Sequence, residues 1–219
     1  MIQQNKAIII ADGEFTKVEI LKPYLNGDYF VACTDGAIYN LVIRQITPNL
    51  IIGDLDSIND DLKEKFKDIL IEDKDQNTND LTKAFNYLKD KGFKEITIFA
   101  ATGYREDHTL ANISLLMEYA KYDDIDVTMI SNYGNFKVYQ TPCTIEAKIG
   151  EPISLFSFDP YAKFSSENLK YKLDNMQLSL LYMATLNEPV KNSFSITSDN
   201  KAKILIYRAF EKIKKKHLT

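Results

Sequence analysis

The sequence predicts an α/β protein: an N-terminal open α/β sheet followed by a C-terminal antiparallel β-sandwich. Up to about residue 130, short β-rich apolar runs alternate with amphipathic helical stripes, and most of the runs end on Asp, Gly or both. After Asn132 the stripes stop, and strand-like runs follow one another between turn formers. Strand–helix alternation builds an open sheet with right-handed crossovers, while serial short strands build sandwiches and rolls. The predicted domains are therefore residues 1–132 and 133–219.

Residues 7–11 read as the first strand, apolar on both faces as in a covered parallel sheet, and end at Asp12-Gly13. Residues 29–33 are the second, ending at Thr34-Asp35-Gly36, and residues 49–52 the third, ending at Gly53-Asp54. Residues 96–100 lead into Thr102-Gly103, and residues 126–130 close the series. Leu62, Phe66, Ile69 and Leu70 recur at helical spacing and predict a helix over 62–70. Leu81, Ala84, Phe85 and Leu88 predict a second, with Gly92 as its C-terminal cap. Leu110, Ile113, Met117 and Ala120 form the stripe of a third. In the second half, strands are expected over 136–139, 144–147, 153–158, 177–184, 193–197 and 204–207.

Composition excludes several classes. The chain has 219 residues, 45% apolar and 26% charged, enough for a sizeable core without staples. A net charge of −4 gives no global field for nucleic acid. No run approaches the roughly 20 apolar residues that span a bilayer, so no membrane segment is expected. The apolar run near the N-terminus is too short for a secretory signal core. Cys33 and Cys143 show no metal or redox spacing, which fits a reduced, cytoplasmic protein. The basic stretch 212–217 reads as a solvated end.

The chemistry concentrates where strands end. Ligands of open α/β sheets gather at the C-terminal edge, and there the sequence places Asp12, Asp35, Asp54, Asp56 and Asp107, with Asp80 opening a helix. In an extended turn Asp54 and Asp56, two apart, point to one side. Such like charges are unfavourable unless a cation joins them, and hard oxygens suit Mg²⁺ with phosphate as its other partner. Singly, each acid reads equally well as a turn or helix cap: Ser57 or Asn59 for the helix over 62–70, Thr78 or Asn79 for the next. The series after successive strands favours a site.

Two polar clusters join it. Residues 75–83, with Gln76 and Lys83, precede a helix whose free N–H groups suit an anion; Lys83 alone reads as a surface lysine. Residues 101–112 hold the small turn Thr102-Gly103, then Arg105, Asp107, His108 and Asn112. Arg105 suits phosphate. The chain has two histidines, His108 and His217, and no nucleophile elbow accompanies them, which argues against a hydrolase triad. Neither a P-loop nor a dinucleotide fingerprint is present, so a nucleotide must bind without them.

The ordered set resembles the thiamine pyrophosphokinase family. Gly53 to Ser57 match its Gly-Asp-Phe/Leu-Asp-Ser turn, Asp75 to Lys83 its Asp-Gln-x-x-Thr-Asp-x-x-Lys segment, and Gly103 to His108 with Asn112 its Gly-x-Arg-x-Asp-His segment. Thr34 to Ala37 match its Ala-Asp-Gly-Gly-Ala turn loosely. Asn168 to Leu173 and Ser193-Phe194-Ser195 look like its later motifs. The resemblance departs at Asn79, where Thr is usual, and at Tyr104, where Gly is common. With no Trp in the chain, stacking on a ring falls to Tyr or Phe.

The resemblance implies transfer of pyrophosphate from ATP to thiamine by a homodimer with Mg²⁺, thiamine lying between one subunit's α/β half and the other's sandwich. It makes Asp35, Asp54, Asp56 and Asp80 the metal candidates, and Asp56 or Asp80 the acceptor of the hydroxyl proton. Gln76 and Arg105 would hold phosphates, and Ser57, Lys83, Thr102 and Gly103 would border the nucleotide. Asp107, His108 and Asn112 would shape its pocket, and Tyr171, Ser193 and Ser195 would contact thiamine. The rival readings are a pyrophosphokinase for another heterocyclic alcohol, such as a pterin, and a catalytically silent thiamine- or nucleotide-binding protein.

Overall fold

A computed structural model describes residues 5–210. The basic stretch 212–217 lies outside the described residues. Chain contacts divide the protein after Asn132 into two compact units.

The first unit carries β1 (Lys6–Ile10), α1 (Val18–Leu21), β2 (Phe30–Thr34), α2 (Ile38–Ile43), β3 (Leu50–Gly53), α3 (Asp60–Lys65), β4 (Leu70–Glu72), α4 (Asp80–Asp90), β5 (Glu95–Phe99), α5 (Glu106–Tyr119) and β6 (Asp126–Ile130). Its strands lie in the order β6-β5-β1-β2-β3-β4, every neighbouring pair parallel. Central β1 reads Lys-Ala-Ile-Ile-Ile, and all but its first residue are buried. Ile8 and Ile10 pack with Val31, Cys33, Ile38, Leu41, Ile51 and Phe99 in one cluster. These runs are apolar on both faces because both sides of the sheet are covered.

Two expectations for this unit need correction. The helix expected over 62–70 stops at Lys65. Phe66 leaves helical geometry at φ −111° and ψ 15°, a single 3₁₀ turn follows, and Leu70 opens β4 on the edge of the sheet. Ile69 and Leu70 mimic a helical stripe because turn and strand both deliver them to the same core. The stripe expected on α5 is also displaced: Leu116 and Tyr119 are its buried residues, and Leu110 is 58% exposed. The short α1 and α2 carried no stripe long enough to read.

Among the described residues the second unit is all β: β7 (Gly134–Gln140), β8 (Cys143–Glu146), β9 (Ile153–Phe156), β10 (Lys163–Glu167), β11 (Met176–Gln177), β12 (Ala184–Asn187), β13 (Ser193–Ser198) and β14 (Lys203–Ala209). One antiparallel layer runs β12-β9-β14-β7 and the other β11-β10-β13-β8. Ile153, Leu155, Ile204 and Ile206 of the first layer share a core with Ile145, Phe164, Phe194 and Ile196 of the second. The strand expected over 177–184 is broken after Gln177, and exposed Leu180, Leu181 and Tyr182 form a turn before β12. Strand β10, Lys-Phe-Ser-Ser-Glu, was not expected, because its apolar content is one residue.

Candidate active site

Along the chain β1 to β4 step outward in one direction, then β5 returns to the other side of β1 and β6 continues away. The order reverses between β1 and β5, and the crevice outside such a switch point is where open α/β sheets take ligands. A cleft of about 430 Å³ lies there. It is lined by Ala11, Asp12 and Gly13 after β1, Thr34, Asp35 and Gly36 after β2, and Ser57 after β3. Asn79, Asp80 and Leu81 at the start of α4, and Ala101, Gly103, Tyr104, Arg105, His108 and Asn112 after β5, complete it.

The acids converge on one point. Carboxylate oxygens of Asp35, Asp54 and Asp56 lie within 4.8 Å of one another. Asp35 is buried, with one oxygen accepting from the Gly36 N–H at 2.7 Å and the other from the Leu55 N–H at 3.1 Å. Leu55 adopts φ 63°, a left-handed conformation that buries its side chain in the core while Asp54 and Asp56 stay at the surface beside Asp35. The Asp56 N–H donates to Asp54 at 3.3 Å, and the Ser57 hydroxyl donates to Asp56 at 3.1 Å.

Electrostatics follow from this crowding. Burial, first, and the charges of Asp80 and Asp54 push the Asp35 carboxyl above its ordinary value, against the pull of its two backbone donors. Asp54, at the surface, moves the other way, through hydrogen bonds from Asp56 and Gln76 and the positive charge of Lys83. Burial also raises the Asp12 carboxyl.

Asp80 and Lys83 pair at 3.0 Å across the first turn of α4. Lys83 is not the solvated surface lysine that its sequence context suggests: its side chain is 3% exposed, placed inward by the helical stripe it interrupts. Its buried charge is compensated by Asp80, with Asp73 and Asp54 near enough to contribute.

Around β5, Asn112 ties the site together. Its amide donates to the Ala101 carbonyl at 2.9 Å and its oxygen accepts from Asn79 at 3.2 Å. Asn79 is the cap of α4, accepting from the Thr82 N–H, and Asn59 caps α3 in the same way. Arg105 grips Asp107 with two N–H groups, at 3.1 and 2.6 Å, and the hydrogen bonds from Arg105 hold the Asp107 carboxyl down at about 2. Gly103 donates its N–H to Thr109, and the Thr102 carbonyl accepts from the Glu14 N–H.

The first unit thus gathers Asp35, Ser57, Asp80, Gly103, Arg105, His108 and Asn112 around one cleft, with Asp54 and Asp56 joined to Asp35. Gln76 is exposed and reaches Asp54, while Thr102 contributes its backbone. Tyr171, Ser193 and Ser195 belong to the second unit. There Tyr171 is 58% exposed, and Ser193 and Ser195 alternate with buried Phe194 and Ile196 on β13. Asp12 and Tyr104 also line the cleft; the sequence marks Asp12 only as one acid of the series after strands, and Tyr104 only as a departure from the family's usual Gly. The signal for Asp12 was its place after the first strand.

Fold and cleft together define a class, an α/β protein with a carboxylate-rich site at the switch point of a parallel sheet. The chain belongs to the thiamin pyrophosphokinase family: the family model for the catalytic domain matches residues 21–129, and that for the substrate-binding domain matches residues 134–207. It is a family of enzymes whose reaction passes pyrophosphate from ATP to thiamine. The chain is 29% identical over 174 residues to thiamine pyrophosphokinase 1 of rice, covering 70% of this chain and 63% of that protein. It is 26% identical over 182 residues to thiamine pyrophosphokinase of Bacillus subtilis, covering 78% and 83%. The crystal structure of the Bacillus subtilis enzyme superposes with a TM-score of 0.77 at 23% identity, over 94% of this chain and 100% of that one. Thiamin pyrophosphokinase from Candida albicans gives 0.75 at 16% identity, over 96% and 91%. At these identities the superpositions establish the fold.

Proposed function

We propose that this chain transfers the β,γ-pyrophosphoryl group of ATP to the hydroxyl of thiamine, giving thiamine diphosphate and AMP. The observation that supports it most directly is the convergence of Asp35, Asp54 and Asp56 beside the switch-point cleft. Three carboxylates within 4.8 Å repel one another unless a cation lies among them, and an all-oxygen donor set fits Mg²⁺. Asp35, Asp54 and Asp56 would hold that ion, with Asp80 near them. It would supply neutralisation of charge on the phosphate oxygens.

The chain's own groups supply the rest. The hydroxyl oxygen of thiamine forms a bond to the β-phosphorus as the bond from that phosphorus to the α,β-bridging oxygen breaks, and AMP leaves with that oxygen. The hydroxyl proton passes to a carboxylate, Asp56 or Asp80. Little covalent chemistry falls to the protein, so alignment and charge neutralisation dominate. Buried Lys83 holds Asp80 in place from behind, the guanidinium of Arg105 faces the phosphates, and Gln76 and Ser57 add hydrogen bonds. Asp107 fixes Arg105, while Thr102, Gly103, His108 and Asn112 shape the nucleotide pocket. Tyr171, Ser193 and Ser195 contact thiamine.

The protein works as a homodimer, a reading supported by exposed apolar residues of the second unit: Leu180 at 59%, Leu181 at 49% and Tyr182 at 72% in the turn before β12, and Leu186 at 79% on β12. It works in the cytoplasm, where its two unpaired cysteines stay reduced. No helix among the described residues is long and apolar enough to cross a membrane.

The test is incubation with ATP, Mg²⁺ and thiamine, with separation of the products. Thiamine diphosphate and AMP in equal amounts support the reading. ATP binding with no AMP release points to a silent binder, and AMP release with only another alcohol moves the acceptor.

A further inference from the structure

We propose that Tyr104 stacks on the planar base of the nucleotide, at the β5 end of the cleft. The proposal rests on the reading of this cleft as an ATP site.

Tyr104 adopts φ 62°, a region that a residue with a Cβ enters only when its surroundings enforce it. The surroundings do so. Gly103, at φ 88°, donates its N–H to Thr109 at 2.9 Å, and its carbonyl accepts from the Arg105 N–H at 2.8 Å. A Cβ on Gly103 would lie 2.6 Å from the Glu14 Cβ, so the turn is pressed against the segment after β1. The Glu14 N–H bonds the Thr102 carbonyl at 2.8 Å. This backbone is clamped from both sides, and the side chain it presents is held in the cleft wall.

That side chain has nothing to hold. It is 76% exposed, and among the described residues its ring meets no other ring and its hydroxyl no hydrogen-bond partner. Phe85, Phe99 and Tyr119 of the same unit are buried. A large, exposed aromatic on a fixed, strained turn at the wall of the cleft is a preformed face for a flat ligand group.

Its place in the sheet says which group. The carboxylates follow β2 and β3, whereas Tyr104 follows β5, on the far side of β1. At about 4.8 Å per strand, β5 lies roughly 10 Å from β2 and roughly 14 Å from β3. An extended ligand with its β- and γ-phosphates at the acids passes its α-phosphate within reach of the long Arg105 side chain and brings its opposite end to β5, and in a nucleotide that end is the base. Every base has a π-face, so the stack strengthens binding without choosing among bases.

Titration calorimetry of the full chain with Mg²⁺ tests this, using ATP, GTP and inorganic tripolyphosphate, which has the anion and no ring. Tyr104→Gly accepts the left-handed backbone and removes the ring; Tyr104→Leu keeps bulk without a ring; Tyr104→Phe keeps the ring. The Gly and Leu variants should weaken ATP and GTP about tenfold each, Tyr104→Phe should bind within about twofold of the parent, and tripolyphosphate affinity should stay constant throughout. Unchanged ATP affinity in Tyr104→Gly, or a parallel loss for tripolyphosphate, overturns the proposal while ATP binding by the parent keeps the functional reading. A defect confined to the KM for thiamine also overturns it. If the parent binds neither ATP nor tripolyphosphate, the functional reading falls and takes the proposal with it.

Discussion

A methyl group built on Gly53 would lie 2.6 Å from the Asp35 Cγ, so the last residue of β3 and the first acid after β2 touch through the absence of a side chain. The neighbour is not a flexible chain end. Asp35 is buried and fastened by the Gly36 and Leu55 N–H groups, so it moves only by giving up those bonds. Gly53→Ala should destabilise the protein by about 1–3 kcal/mol through overpacking. A shift of the carboxylate should also lower turnover by roughly a hundredfold, the scale of an ångström's misplacement. Thermal melts and steady-state kinetics read the two effects. Wild-type turnover in Gly53→Ala would mean that the position of Asp35 does not matter to the reaction.

Asn79 does two jobs with one amide. Its oxygen caps α4 through the Thr82 N–H at 3.0 Å, and its nitrogen donates to Asn112 at 3.2 Å, linking the start of α4 to the turn after β5. Asn79→Ala should cost about 1 kcal/mol from the lost cap alone. Asn79→Asp keeps the capping oxygen and adds favourable charge at a helix N-terminus, but it loses the donor to Asn112. The Asp variant should therefore melt near the parent while its KM for ATP rises alongside that of the Ala variant. If both stability and KM stay at parent values in Asn79→Asp, the link to Asn112 does not organise the cleft.

Strands β1, β2, β3, β5 and β6 were legible because a covered parallel strand is apolar on both faces and stops at turn residues. The acids were legible for the same reason: they sit where those runs end. Edge strand β4 was not, because Ile69 and Leu70 satisfy helical spacing and strand burial equally well. The face of α5 was misread because its buried residues, Leu116 and Tyr119, lie among Leu110, Ile113 and Met117, and apolar spacing does not rank them. The burial of Lys83 was invisible, because composition cannot show that Asp80 one turn earlier compensates it. Asp12 followed a strand like the other acids and was read only as a member of the series. Its place in the cleft needed the reversal of strand order between β1 and β5, which no single strand announces.

The two thiols differ in environment, and their chemistry should follow. Cys33 is fully buried on β2, and burial, then the charge of Asp35, pushes its thiol well above the ordinary range. Cys143 is partly exposed at the start of β8, and burial raises its thiol too, against a backbone hydrogen bond at Ile196. The thiolate is the reactive species, so a raised thiol keeps its proton to higher pH and reacts more slowly at a given pH. A colorimetric thiol reagent at about pH 8 should label no more than one cysteine in the native protein, and slowly. Cys143→Ser should show none until denaturant is added. Rapid labelling of native Cys143→Ser would mean that β2 opens readily.

Asp35 couples the acid cluster to stability. Its carboxyl is raised above its ordinary value, by burial first, so the folded protein binds this proton more tightly than the unfolded chain does. The folded state therefore has its full Asp35 contribution below the unfolded value and loses it as pH rises through the folded one. Asp35→Asn removes that titration while keeping one acceptor for the backbone donors. In metal-free buffer, the melting temperature of the parent minus that of Asp35→Asn should fall as pH rises above the ordinary carboxylate range. Mg²⁺ binding favours the ionised carboxylate, so excess Mg²⁺ at pH 7 should raise the parent's melting point and leave that of Asp35→Asn nearly unmoved. Turnover should be absent in the variant at every pH. A difference that stays flat with pH would show that the Asp35 carboxylate is not strained by its burial. An equal Mg²⁺ shift in both proteins would place the ion elsewhere than at Asp35.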